Sequence, residues 1–236
     1  MRHSLRALAA LLAYPTAELI EALPPICDAL ATDPALRPAL PGLLALADHL
    51  EQSDLLDLQE EYVGLFDRSR SLCLNLFEHV HGDSRERGPA MVELLGIYAQ
   101  SGLEPATGDL PDHLPLLLEH AAVAPQAGLE LLANAAPVID LLHGRLLQRG
   151  SPWAAILHAT LAATGRAPTT IAEPEPEETA ESLDQAWAEA PVVFGPGADP
   201  AAECGPEVMS AKLRAARRAP NPTPRRPVIR YTSAQG

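Results

Sequence analysis

An all-α fold, a single-domain helical bundle trailed by an acidic linker and a basic tail, is the architecture this sequence predicts. Three observations predict it. Apolar residues recur at helical spacing almost everywhere up to about residue 165. Leucine and alanine dominate a composition that is 47% hydrophobic but only 4% aromatic, and these two residues lose little freedom in a helix, whereas strands draw on β-branched and aromatic ones. No window alternates with period two between hairpin turns.

Each element follows from local chemistry. Leu5, Leu8 and Leu12 share one helical face; Leu19, Leu23, Ile26 and Leu30 share the next, and Leu55, Leu58, Tyr62 and Phe66 another. Prolines at 15, 24–25, 34, 38 and 41 punctuate these runs as turns or helix starts. Met91, Leu94, Leu95 and Tyr98 form a face closed by Ser101-Gly102, where glycine takes positive φ cheaply. Pro111 and Pro115 flank Asp112, a candidate N-cap for a helix through Leu116, Leu117 and His120. Pro125 opens a predicted long helix stopped at Gly150, and a last one spans 152–164.

Beyond this domain (1–165), residues 166–182 read as a linker, because AEPEPEETAES carries five glutamates and no apolar side chain larger than alanine. Residues 183–196, with Leu183, Trp187, Val192, Val193 and Phe194, form an apolar segment expected to dock back on the domain. Residues 197–236 are expected to be a flexible basic tail with one possible helix over 206–219.

Charge excludes several function classes. The formal net charge of −14 divides into −20 before residue 206 and +6 after it. An acidic body lacks the basic face that duplex nucleic acid requires. Cys27, Cys73 and Cys204 are odd in number and widely spaced, as in a reducing compartment. Arg2 to Ala13 superficially resembles a secretory signal, but its apolar run is short and Tyr14-Pro15 stands where small cleavage-site residues belong. No uncharged run approaches the ~20 residues needed to span a bilayer, so no stable membrane insertion is expected.

Residues 60–91 hold most of the chemistry: aromatics, the run His79-Val80-His81-Gly82-Asp83 and four arginines. Aromatics interleaved with Arg and His are what protein-binding surfaces use, although Tyr62, Phe66 and Phe77 also fit simple core positions. A metal site would recruit His79, His81, Asp83 and Cys73, yet on a helix the two histidines point about 200° apart and no HExxH pairing exists. A Cys73 nucleophile lacks a recognisable oxyanion loop, and Gly82 and Gly88 fit no phosphate-loop pattern. A structural reading has Gly82 ending one helix, Asp83 capping the next and Glu86 completing a capping box. Arg85 and Arg87 then sit in a first turn, where the helix dipole disfavours cations unless Glu78, Asp83 or a ligand pairs with them.

Tyr62-Val63, Phe66-Asp67, the run from Leu74 to Arg85 (LNLFEHVHGDSR), Arg87-Gly88 and Ala90-Met91 closely resemble the nitrate reductase molybdenum cofactor assembly chaperones, the NarJ family. Leu110-Pro111-Asp112-His113-Leu114-Pro115 with Leu118-Glu119 resembles that family's second motif, as do Leu11 to Pro15 and, more loosely, Trp187 to Phe194. The resemblance spans about residues 5–195 and implies an all-α cytoplasmic chaperone related to those that mature other molybdoenzymes. It implies as partner the N-terminal segment of the catalytic (alpha) subunit of respiratory nitrate reductase. That subunit would be held apo and off the membrane until molybdopterin guanine dinucleotide and iron-sulfur clusters enter it; no cofactor is expected on the chaperone itself.

A helical surface offers a groove for an amphipathic peptide helix. Tyr62, Phe66, Leu76, Phe77 and Met91 are the expected lining, with Met91 supplying adaptable packing. Glu78, Asp83 and Asp112 would meet a positively charged partner, Arg87 would face it or an acidic neighbour, and His79, His81 and His113 could make binding pH-dependent. Two other readings stay open: a metal-assisted hydrolase built on Cys73, His79, His81 and Asp83, and a helical adaptor for another oxidoreductase subunit.

Overall fold

The prolines and caps set where each helix begins, and leucines set which face turns inward. The computed structural model describes residues 1–82, 84–105, 108 and 110–169. Among these residues the chain forms α1 (Arg2–Leu11), α2 (Ala17–Glu21), α3 (Leu23–Ala31), α4 (Leu40–Gln52), α5 (Leu55–Tyr62), α6 (Leu76–His81), α7 (Arg87–Gln100), α8 (Leu114–Val123), α9 (Pro125–Asn134), α10 (Ala136–Gln148) and α11 (Ala154–Ala163), with no strand. The all-α expectation holds. The segment 183–196 and the tail 197–236 lie outside the described residues, as does most of the acidic linker.

At the start of the chain, α1 lies against α8 and α3, and α11 packs on α10, α4 and α1. Leu5, Leu8 and Leu12 are fully buried, as the periodicity predicts, together with Leu43, Leu46, Leu114, Leu118, Ile156 and Leu157. The Thr16 hydroxyl accepts the Leu19 amide to start α2, and an Asp54 carboxylate oxygen accepts the Leu56 amide to start α5. Asp33 anchors the N-terminus: its carboxylate accepts from the terminal amine at 2.7 Å, from Ser4 Oγ at 2.7 Å and from the Ala35 amide at 3.1 Å. Burial alone would raise its pKa; these three donors instead hold it below the ordinary carboxylate value.

Two sequence expectations are corrected. The predicted long helix from Pro125 is two helices meeting at Ala135. Pro137 has no amide proton for the carbonyl four residues back and its ring crowds that carbonyl, so α9 must end there and the proline falls in the first turn of α10. Asp112 does not cap the helix it precedes; His113 occupies that N-cap position, and the Asp112 carboxylate reaches another helix.

Beyond α11 the chain returns across the surface to Thr169, whose amide donates to Asp140 Oδ1 at 2.9 Å and whose hydroxyl donates to Oδ2. Among the described residues no helix is long and apolar enough to cross a membrane.

Candidate functional site

The site forms where two distant loops lie side by side. Asn75 and His113 form an isolated antiparallel bridge; the Leu76 amide donates to Asp112 O at 3.1 Å and the Leu114 amide to Leu74 O at 3.0 Å. Asn75 and His113 both have extended backbones, so neighbouring side chains point to opposite sides. Two concavities adjoin the bridge.

One is a polar cleft of about 390 Å³ bordered by Tyr62, Phe66, Asp67, Cys73, Asn75 and His113. The regular turn of α5 widens into a π-helical turn over Val63–Asp67, with the Arg68 amide bonding Val63 O at 3.0 Å; such insertions re-aim side chains and recur at functional sites. Tyr62 and Phe66 are only 5% and 4% exposed, so they are core residues that border the cleft. Tyr14, Tyr62, Phe66 and Trp153 form a chain of aromatic contacts with centroids 5.6, 4.9 and 6.4 Å apart. The Tyr62 hydroxyl donates to Leu12 O at 3.0 Å.

The other is an apolar groove of about 350 Å³, formed by Leu76, Phe77 and Val80 of α6 with Leu94, Leu117, Leu131 and Val138 of α7 to α10. Asp112 also borders it, and the Phe77 amide donates to its Oδ2 at 2.9 Å. The carboxylate therefore caps α6 from a loop far away in sequence. Burial pushes its pKa up, against the Phe77 amide, its own backbone and the positive charges of Arg87 and His113.

Short α6 is held by its polar side chains. Glu78 pairs with Arg70 at 3.1 Å and Arg87 at 3.4 Å, so Arg87 finds the acidic neighbour that its place in a first turn demanded. His79 Nε2 donates to Cys73 O at 2.8 Å, and burial lowers its pKa. His81 stacks edge-on against Phe77 with centroids 5.4 Å apart. Gly82, at φ +51°, ends the helix as predicted. Asp83 lies outside the described residues, and the expected capping box is corrected: α7 begins at Arg87 with Glu86 itself at the N-cap, so Glu86 does not stand three residues past a cap.

Six of the twelve expected site residues border one of the two concavities: Tyr62, Phe66 and His113 the polar cleft, and Leu76, Phe77 and Asp112 the apolar groove; Glu78, His79, His81 and Arg87 border neither. Met91 is half-buried on α7 and borders neither. Sequence reasoning missed Val80, Leu94, Leu117, Leu131 and Val138, because they look like ordinary helix-core leucines and valines until five helices converge. It also missed Arg145 of α10, whose Nη1 donates to Ser71 O at 2.7 Å and so holds the 69–73 loop. Among the described residues no three His, Cys, Asp or Glu side chains are placed to hold a metal ion. Burial raises the Cys73 thiol's pKa, the opposite of what a nucleophile needs.

Comparison with known proteins adds four findings. Residues 30–159 match the nitrate reductase delta subunit family. Over 192 residues the chain is 40% identical to the nitrate reductase molybdenum cofactor assembly chaperone NarJ of Escherichia coli, covering 78% of this chain and 81% of that protein. It is 41% identical over 174 residues to NarW of the same organism, covering 71% and 74%. The fold is similar to that of a redox enzyme maturation protein from Archaeoglobus fulgidus, with a TM-score of 0.50 at 23% identity over 68% of this chain and 91% of that one.

Proposed function

Because the chain belongs to the nitrate reductase delta subunit family, whose relatives include the NarJ assembly chaperones, we propose that it binds the N-terminal segment of a nitrate reductase catalytic subunit as an amphipathic helix. The chain is an assembly chaperone and not an enzyme. In this reading it acts in the cytoplasm, keeping the apo subunit competent for molybdenum cofactor insertion and away from the membrane.

The observation that carries the reading is the apolar groove. Its walls are leucine, valine and phenylalanine from separate helices, and Val80 at its edge is 59% exposed. A helix laid there would bury its apolar face, while the neighbouring polar cleft, with Asp67 and His113, would take polar groups at its edge. The acidic body favours a partner segment that carries positive charge, which speeds encounter more than it tightens the complex.

Calorimetric titration of the full chain with a synthetic peptide from that N-terminal segment tests the proposal. Saturable one-to-one binding is expected. Phe77→Ala, which removes the half-buried aromatic of the groove, should weaken it about tenfold or more, as expected when an aromatic anchor is truncated. Unchanged affinity in a folded Phe77→Ala protein would place the peptide elsewhere.

A further inference from the structure

We infer that Asp112 selects the bound helix by accepting the charged tip of one lysine or arginine that projects from the helix's apolar face into the groove. This rests on the peptide-binding reading above and specifies the chemistry of its ligand.

Asp112 is fully buried, yet it borders the groove. Only one of its carboxylate oxygens is used: Oδ2 accepts the Phe77 amide, while Oδ1 has no hydrogen-bond partner among the described residues. The cationic groups that act on it do not supply the missing bond. Arg87 is engaged with Glu78 at 3.4 Å, and His113 lines the polar cleft and not the apolar groove. A buried acceptor without a partner is unfavourable, and native proteins retain few of them.

A lysine or arginine answers both halves of this environment. Its methylene stem suits walls made by Leu76, Leu94, Leu117 and Val138, and its charged tip suits the carboxylate. Because the Phe77 amide already fixes the carboxylate, little ordering remains for the partner to impose. Burial now disfavours the charged carboxylate, and a cation beside Oδ1 reverses that preference. A neutral side chain of the same length would leave the carboxyl unpaired, so the site would discriminate against it.

The experiment is a coupling measurement on the full chain. The same synthetic N-terminal peptide is prepared with each lysine or arginine replaced in turn by norleucine, which keeps an apolar stem and removes the charge. Each peptide is titrated into the wild-type protein and into Asp112→Asn, whose amide oxygen can still accept the Phe77 amide. One replacement is expected to weaken binding to the wild type tenfold or more and to change binding to Asp112→Asn less than threefold. Should Asp112→Asn fail to fold, the wild type suffices: the Asp112 carboxyl, followed by carbon NMR, should titrate at lower pH with the native peptide bound than with that norleucine peptide bound. Equal losses on both proteins, or an unmoved carboxyl titration, overturn the inference while saturable binding leaves the groove reading standing. No binding of the unmodified peptide overturns both.

Discussion

At Gly128 the backbone of α9 comes against that of α8. A Cβ placed on it would lie 2.2 Å from Ala121 Cα and 2.6 Å from Ala121 N, and backbone atoms cannot swing aside as a side chain can. Gly128→Ala gains helix propensity but forces the two helices apart, so a net loss of about 2–3 kcal/mol is expected from overpacking. Urea unfolding checks it; a variant as stable as the wild type would mean that the helices part freely. Tyr62 makes a different demand. Its ring belongs to the core, while its hydroxyl satisfies the buried Leu12 carbonyl at 3.0 Å. Tyr62→Phe keeps the ring and orphans that carbonyl, a loss of about 1–3 kcal/mol by the same measurement. The tyrosine is visible in the sequence, but its partner fifty residues away is not.

Among the elements, α6 depends on its neighbours for its existence. Six residues are too few for a helix to hold itself in water. Its first turn is capped by Asp112, its middle is tied through Glu78 to Arg70 and Arg87, and His79 returns to the Cys73 carbonyl. Removing a cap costs about 1 kcal/mol, enough to open a short helix several-fold more often. Asp112→Ala should therefore speed hydrogen exchange of the Phe77 amide and its α6 neighbours about fivefold or more, leaving α1 and α11 unchanged; uniform acceleration throughout the domain would instead mean global destabilisation. Much of α6 is legible from its sequence: the apolar Leu76 and Phe77, and Gly82 as its stop. The cap is not, because Asp112 precedes a different helix and nothing local tells which amide it will meet. The split of α9 from α10 was open to a reader who weighed Pro137 against the leucine periodicity running through it.

For the whole molecule, burial controls how stability varies with pH. His79, His120 and His143 all have pKa values lowered from 6.5 chiefly by burial, as does the less enclosed His158. His143 and His158 also face each other with ring centroids 5.8 Å apart, so each charge would oppose the other. A lowered folded-state pKa means that the unfolded chain takes up protons first. The stability these histidines support is complete above the unfolded value of about 6.5 and is lost as pH falls below it towards the folded values. Asp112, with its pKa raised by burial, works in the opposite sense nearer the carboxylate range, and lowered Asp33 adds to the loss there. The melting temperature is therefore expected to fall on acidification from pH 7.5 to 5.5. A flat profile across that interval would show that the buried imidazoles take up protons without strain.

The sequence by itself determined the helical class, most helix starts and stops, the inward faces of α1 and α5, and the family. These depend on residues close together along the chain: leucine spacing, prolines in first turns, glycines at helix ends and two contiguous motifs. Tertiary structure alone decided that the two motifs meet at Asn75 and His113, that their side chains divide between a polar cleft and an apolar groove, and that Asp112 keeps one oxygen without a partner among the described residues. The physical reason is separation. A groove made by five helices and a carboxylate that caps a helix 35 residues away depend on which surfaces pack together, and that is settled by burying the whole core at once.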